Sequence, residues 1–320
     1  MTVASSAIST GERGRAEAAA VLVMVIWAAN FVIHKAAITV VPPVGFTFLR
    51  ITLAAVSMLV LCRLLDGGIG LPRRDLARVL VLGGVGYGVY QILWPIALSS
   101  TTAGNSALVI ASSPIFTALV AMALGMEAAS WYRSGGVAIA FVGVGLVVVG
   151  GGAGPAGPGI GDLLTVICAA CWGATLALTA PLLVRVSPFR MASWALTGGA
   201  IVLALPGSWQ LVTGDLSGAG PEILLAIAFT GIVAAGLANV VVFRSVKVIG
   251  PSRFANFQFL TPVFTVALGA LFLGEGVAPA QVAGGIAIVA GILVARRAPL
   301  GRPVGSPPAT SPADVPPLPR

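Results

Sequence analysis

Charge is what this sequence has least of. Only 28 of its 320 residues are Asp, Glu, Lys or Arg, and ten of those are acidic. A soluble domain normally carries about 25% charged residues, so a water-soluble globular fold is excluded. There is one histidine and there are three cysteines. That is too few soft ligands for a structural metal site, and Cys168 and Cys171 read as small fillers within an apolar helix. No His-Glu-x-x-His, no paired carboxylates within an apolar stretch and no Ser-His-Asp set occurs, which leaves an enzyme little to work with. No cofactor is implied. A selectivity-filter loop and a charged ring are missing too, which argues against an ion channel.

What the chain has in abundance is long apolar runs. Hydrophobic residues make up 58% of it and the mean hydropathy is +1.02. Ten stretches have about the twenty-residue length that crosses ~30 Å of hydrocarbon. They lie near 18–38, 44–64, 76–98, 103–126, 132–151, 161–183, 191–209, 222–243, 252–274 and 278–295. They are continuously apolar, unlike the alternating ten-residue segments of a membrane β-barrel. The expectation is an all-α integral membrane protein with ten transmembrane helices.

The placement of positive charge tests that expectation. Of 18 Lys and Arg, all but Lys35 and Arg50 fall in the segments on the N-terminal side of the membrane. The opposite loops, near 39–43, 99–102, 152–160, 210–221 and 275–277, carry none. Such an excess marks the cytoplasmic face, so both termini are expected in the cytoplasm of a multi-pass protein of the cell membrane. The formal charge of +8 then reflects anionic membrane lipids, not nucleic acid. The first 16 residues lack the apolar core of a cleavable signal. The Pro-rich stretch 298–320 has too few large hydrophobics to fold.

The chain also repeats itself. Pro114-Ile-Phe-Thr, Glu127, Gly136 and Gly143 return 148 residues later as Pro262-Val-Phe-Thr, Glu275, Gly284 and Gly291. Trp27-Ala-Ala and Pro43 return 145 residues later as Trp172-Gly-Ala and Pro188. Residues 17–151 and 161–297 are read as two five-helix copies, flanked by a cytoplasmic segment at 1–16 and joined by an external Gly-rich linker at 152–160. Five is odd, so the second copy enters the membrane the other way up, giving inverted repeats.

On these residues the chain resembles the drug/metabolite transporter superfamily, specifically its EamA type with ten helices. The motif residues are Trp27 through Val32, Arg50, Pro114 through Glu127, Trp172 and Pro262 through Glu275. The resemblance implies cytoplasmic termini, a central cavity lined mainly by helices 1, 3, 4, 6, 8 and 9, and export of amino acids, other metabolites or drugs.

The polar residues within helices are the cavity candidates. Trp27, Asn30 and His34 lie within about 60° of one another on helix 1, either lining the cavity or clamping neighbouring helices. Tyr87, Tyr90, Gln91 and Trp94 share one face of helix 3, ahead of Pro95. Trp172, Asn239, Asn256 and Gln258 complete the set. Arg50 lies about 9 Å into helix 2 at 1.5 Å per residue, with either a structural role or one in attracting an anionic group. Lys35 is near enough to a helix end to snorkel. Glu127 and Glu275 are expected to bond loop amides. His34 is the one mid-helix group that titrates near neutral pH. Proton coupling through it and simple facilitation both stay open, and oligomeric state is not readable. The leading expectation is a secondary transporter exporting small amphipathic metabolites, amino acids or related carboxylate-bearing compounds, by alternating access. Efflux of drugs or other xenobiotics is the alternative, and an integral-membrane enzyme is a third.

Overall fold

The structure is a computed structural model, and it describes residues 10–124, 130–150, 159–179, 181–249, 257–295 and 297. Glu127, Asn256, most of the linker and the C-terminal stretch from 298 lie outside the described residues. Among the described residues the secondary structure is helical throughout. The helices are α1 (Thr10–Ala37), α2 (Pro43–Leu65), α3 (Arg73–Ser99), α4 (Ala103–Ala123), α5 (Trp131–Gly150) and α6 (Ile160–Thr179). There follow α7 (Pro188–Thr213), α8 in three consecutive pieces (Pro221–Ala228, Phe229–Leu237 and Ala238–Ile249), α9 (Leu260–Leu273) and α10 (Pro279–Ala295). Seven of them are long and apolar enough to cross a membrane, while the apolar parts of α5, α9 and α10 are shorter. This is a multi-pass membrane protein.

Helix starts follow the local chemistry. Pro43, Pro188 and Pro221 stand in the first turns of α2, α7 and α8, where a missing N–H costs nothing. Thr102 and Ser187 cap α4 and α7 by accepting from the amides of Asn105 and Arg190. Leu, Val and Ile side chains left exposed, such as Leu205 and Leu224, belong to the lipid-facing surface.

Two helices depart from α geometry at related places. Gly84–Val89 in α3 and Phe229–Leu237 in α8 are π-helical, and 84 and 229 differ by 145. Pro95, which lacks an N–H to donate, sits inside a regular stretch, Tyr90–Ser99. The departure lies two to three turns earlier, where Gly84, Gly86 and Gly88 alternate with larger residues and their missing side chains let the backbone widen. Helix α4 is interrupted at Ala111–Ser112, just ahead of Pro114.

Packing rests on glycine. A Cβ at Gly143 would come 2.7 Å from the Gly284 carbonyl oxygen, and one at Gly291 would come 2.5 Å from that of Gly136. Position 136 thus meets 291, and 143 meets 284. Seven residues forward on α5 is seven back on α10, so the two run antiparallel with their backbones in contact. Without a hydrophobic drive between helices in lipid, such close approach is what holds them together. Helices α2 and α7 also run antiparallel: Phe48 meets Gly207, and the Ser193 hydroxyl donates to the Met58 carbonyl at 2.9 Å. Behind the cavity, Met24, Ile51, Met58, Met191 and Leu196 form the largest buried apolar cluster.

Candidate functional site

A cavity lies between α1, α3, α4, α6, α8 and α9, with Arg50 of α2 reaching its wall. It leaves about 110 Å³ in which the centre of a water molecule can move. Ten of the twelve residues singled out in the sequence line it: Trp27, Asn30, Arg50, Tyr87, Tyr90, Gln91, Trp94, Trp172, Asn239 and Gln258. Asn256 is outside the described residues. His34 is fully buried but stands behind the wall, its ring 4.6 Å from that of Trp94 and 4.9 Å from that of Phe46.

The aromatic residues form one connected wall. Tyr90 stacks on Trp94 with centroids 6.2 Å apart, while Tyr87 meets Trp172 edge-on at 5.5 Å. Two of their polar ends are occupied: the Tyr87 hydroxyl donates to Asn239 Oδ1 at 2.9 Å, and Trp94 Nε1 donates to Ser106 Oγ at 3.1 Å. Trp27 Nε1 donates to the carbonyl of Ala234 at 3.1 Å. That carbonyl belongs to the π stretch of α8, where widened geometry frees backbone oxygens. Trp27 is therefore both a clamp between helices and part of the wall.

Arg50 is the feature that dominates the electrostatics. It is 2% exposed. Its Nη2 donates to Gln91 Oε1 at 2.7 Å and its Nη1 to the Thr230 carbonyl at 3.3 Å, and Nε has no partner. The guanidinium carbon lies 5.7 Å from the Trp94 ring, within cation–π range. Among the described residues no carboxylate pairs with it, whereas Arg185 pairs with Asp75 and Arg190 with Asp66. A buried cation satisfied by neutral oxygens alone still lacks its best ligand.

Sequence reasoning missed the small apolar lining, Ala107, Ile110, Ala111, Ala234 and Ala235. Nothing distinguishes these from lipid-facing alanines and isoleucines. Ser113, Thr261 and Pro262 also line the cavity, and they belong to the repeated Pro motifs that did carry a signal.

One end of the bundle is tied together by polar residues. Lys35 Nζ donates to the carbonyls of Leu98 at 2.5 Å and Thr101 at 2.6 Å, at the C-terminus of α3. This replaces the expected snorkelling: the carbonyls that end α3 are within reach and attract a cation. Asp162 accepts from Thr101 Oγ1 and, at 3.3 Å, from Asn105 Nδ2. Glu275 accepts from the amides of Ala103 at 2.8 Å and Gly104 at 3.2 Å, the free N–H groups that open α4. It reaches them because Gly274 (φ 66°) turns the chain sharply at the end of α9. Gln281 Nε2 then donates to Asn105 Oδ1 at 2.5 Å. The network joins α1, α3, α4, α6 and α10. Among the described residues no three His, Cys, Asp or Glu could share a metal ion.

A bundle of membrane-length helices around an interior cavity of aromatic and amide side chains is the build of a solute transporter. The model of the EamA-like transporter family matches residues 14–149 and again 159–297, so the chain belongs to that family. It is a transporter and not an enzyme. It is 27% identical over 285 residues to a probable terminal-alkyne amino-acid exporter of Streptantibioticus cattleyicolor, covering 89% of this chain and 94% of that one. It is 25% identical over 293 residues to a probable amino-acid metabolite efflux pump of Salmonella typhimurium, covering 86% and 92%. A solved crystal structure aligns with a TM-score of 0.64 at 21% identity over 89% of this chain and 98% of that one, a likeness of fold alone.

Proposed function

We propose that this protein exports small amphipathic metabolites bearing a carboxylate, amino acids or close relatives, by alternating access. The observation that carries the reading is Arg50: a buried guanidinium at the cavity wall, held only by neutral oxygens. Gln91 Oε1 stands where a substrate carboxylate would bind, and a charged acceptor outcompetes a neutral amide by forming a charge-assisted, bidentate pair. Tyr90, Trp94 and Trp172 offer apolar faces to the side chain, and Asn30 and Gln258 offer polar contacts. The two relatives named for amino-acid export support the same class.

Residues 17–151 and 161–297 are proposed as two inverted five-helix halves, giving ten crossings with both termini in the cytoplasm. The antiparallel α5–α10 and α2–α7 contacts support this, because each joins a helix to its counterpart in the other half. The π stretches of α3 and α8 also correspond. On this topology the network of Lys35, Asp162 and Glu275 lies at the outer face and closes it. His34, packed behind Trp94, does not face the cavity, so facilitation is the simpler mode.

The test is efflux from proteoliposomes loaded with a panel of amino acids, their decarboxylated amines and neutral drugs. Transport of the acids and not the amines is expected. Transport of neutral drugs with no carboxylate accepted sinks the reading in favour of xenobiotic efflux, which the aromatic wall also suits. A stimulation by a pH gradient that Gln at position 34 abolishes would restore His34 as a coupling group.

A further inference from the structure

A further opening lies away from the cavity, at the seam between α3 and α6, where Val81 and Leu178 are exposed. The two helices touch closely at Gly86, where a Cβ would come 2.5 Å from Thr175 Cγ2. Toward the end of the bundle that carries the α2–α3 and α6–α7 connections they separate. The groove between them leaves about 660 Å³ open. Its walls are apolar, from Val81 and Leu82 on α3, Leu178 at the end of α6 and Leu182 in the short turn of helix (Leu182–Val184) beyond it. Its mouth is basic. Arg78 is exposed, and the Arg185 side chain, 53% exposed, holds Asp75 at 2.8 Å. Two guanidiniums against one carboxylate leave one net positive charge there. Among the described residues Arg78 has no acidic partner.

We infer that this groove binds one anionic phospholipid, its phosphate between Arg78 and Arg185 and one acyl chain along Val81, Leu82 and Leu178. Charge complementarity selects the headgroup, since basic pockets between helices attract anionic lipid headgroups. The walls select a chain: a free phosphate gains nothing from them. The length fits as well. From Arg78 to Tyr87 is nine residues, about 13 Å of helix, close to one leaflet's half of a ~30 Å hydrocarbon core. The repeat sharpens the argument. At the matching place in the other half, 145 residues away as for the π stretches of α3 and α8, Arg78 corresponds to Ile223 and Arg185 to Val40. The basic mouth is therefore an addition to one copy, not part of the common scaffold. The close contact at Gly86 is next in sequence to Tyr87, which meets Trp172 edge-on in the cavity wall, so an acyl chain in the groove braces the seam on which the cavity depends.

The test is native mass spectrometry of the purified full chain in detergent, with phosphatidylglycerol or phosphatidylcholine of identical acyl chains. One retained phosphatidylglycerol, held in preference to phosphatidylcholine, is expected. Arg78→Gln should weaken its retention about fivefold, the usual worth of one basic residue near an anionic headgroup. Arg78 makes no ion pair to lose, so this variant should fold normally, checked by unchanged circular dichroism. Leu178→Trp should fill the groove and reduce retention of the lipid with both arginines in place. Equal retention of the two lipids, or unaltered retention by Arg78→Gln, overturns the inference. Displacement of the lipid by millimolar inorganic phosphate overturns it too, in favour of a simple anion site.

Discussion

Arg50 sets the terms at the scale of single residues. A guanidinium buried among neutral partners is tolerated because Gln91, Thr230 and the Trp94 ring share its charge. Arg50→Gln keeps hydrogen-bonding capacity but removes the charge. Since a hydrogen bond to a charged group contributes about 1.5–3 kcal/mol, uptake of carboxylate substrates into vesicles should fall at least about tenfold, with neutral solutes less affected. Equal loss for both classes would assign Arg50 to the scaffold. That Arg50 lay inside an apolar run was plain from the sequence. That Gln91 would be its partner was not, because the two are 41 residues apart and periodicity orders residues only within one helix. Lys35 fails for a related reason. Its distance from the helix end was legible, but the carbonyls of Leu98 and Thr101 that turn it inward belong to another helix.

The helices themselves were the most legible level. Apolar length placed most helix ends within a few residues, because the cost of exposing backbone to lipid leaves the chain little choice but helix. Helix α1 begins eight residues before the expected start, at Thr10, and α9 eight after it, at Leu260. Their interruptions were less so: the π stretch of α3 falls in Gly84–Val89, while the helix around Pro95 is regular. The glycines gave a clear signal but not its geometry. A repeated Gly every seven residues marks one helix face, while the partner it meets appears only in the fold. Two glycines of α5 separate the explanations. A Cβ at Gly143 would meet the backbone of α10 within 2.7 Å, whereas one at Gly145 meets nothing within 4 Å. Gly143→Val should lower stability by about 1–3 kcal/mol, as overpacking does, and Gly145→Val should change it little. Thermal unfolding in detergent reads the difference, and equal shifts would mean the α5–α10 seam is not tight.

At the scale of the whole molecule, the proposed alternating access requires the polar-tied end of the bundle to open. The closure uses three charged side chains from three different parts of the chain, each satisfied by groups on the α3–α4 turn or the first turn of α4. Asp162→Asn with Glu275→Gln should loosen it. In a variant whose three cysteines are replaced, a cysteine introduced at Ala111 should then react several-fold faster with an impermeant thiol reagent added outside. An unchanged rate would place the barrier elsewhere.

The contact between α5 and α10 carries one more consequence. Position 136 meets 291 and 143 meets 284, and each pair becomes the other when the halves are exchanged. Such a surface is self-complementary, the property that defines the interface of a symmetric homodimer. Two copies of the first half alone would possess both sides of this contact. They could form it only by lying in the membrane in opposite directions, so a polypeptide comprising that half would have to insert both ways up to assemble with itself.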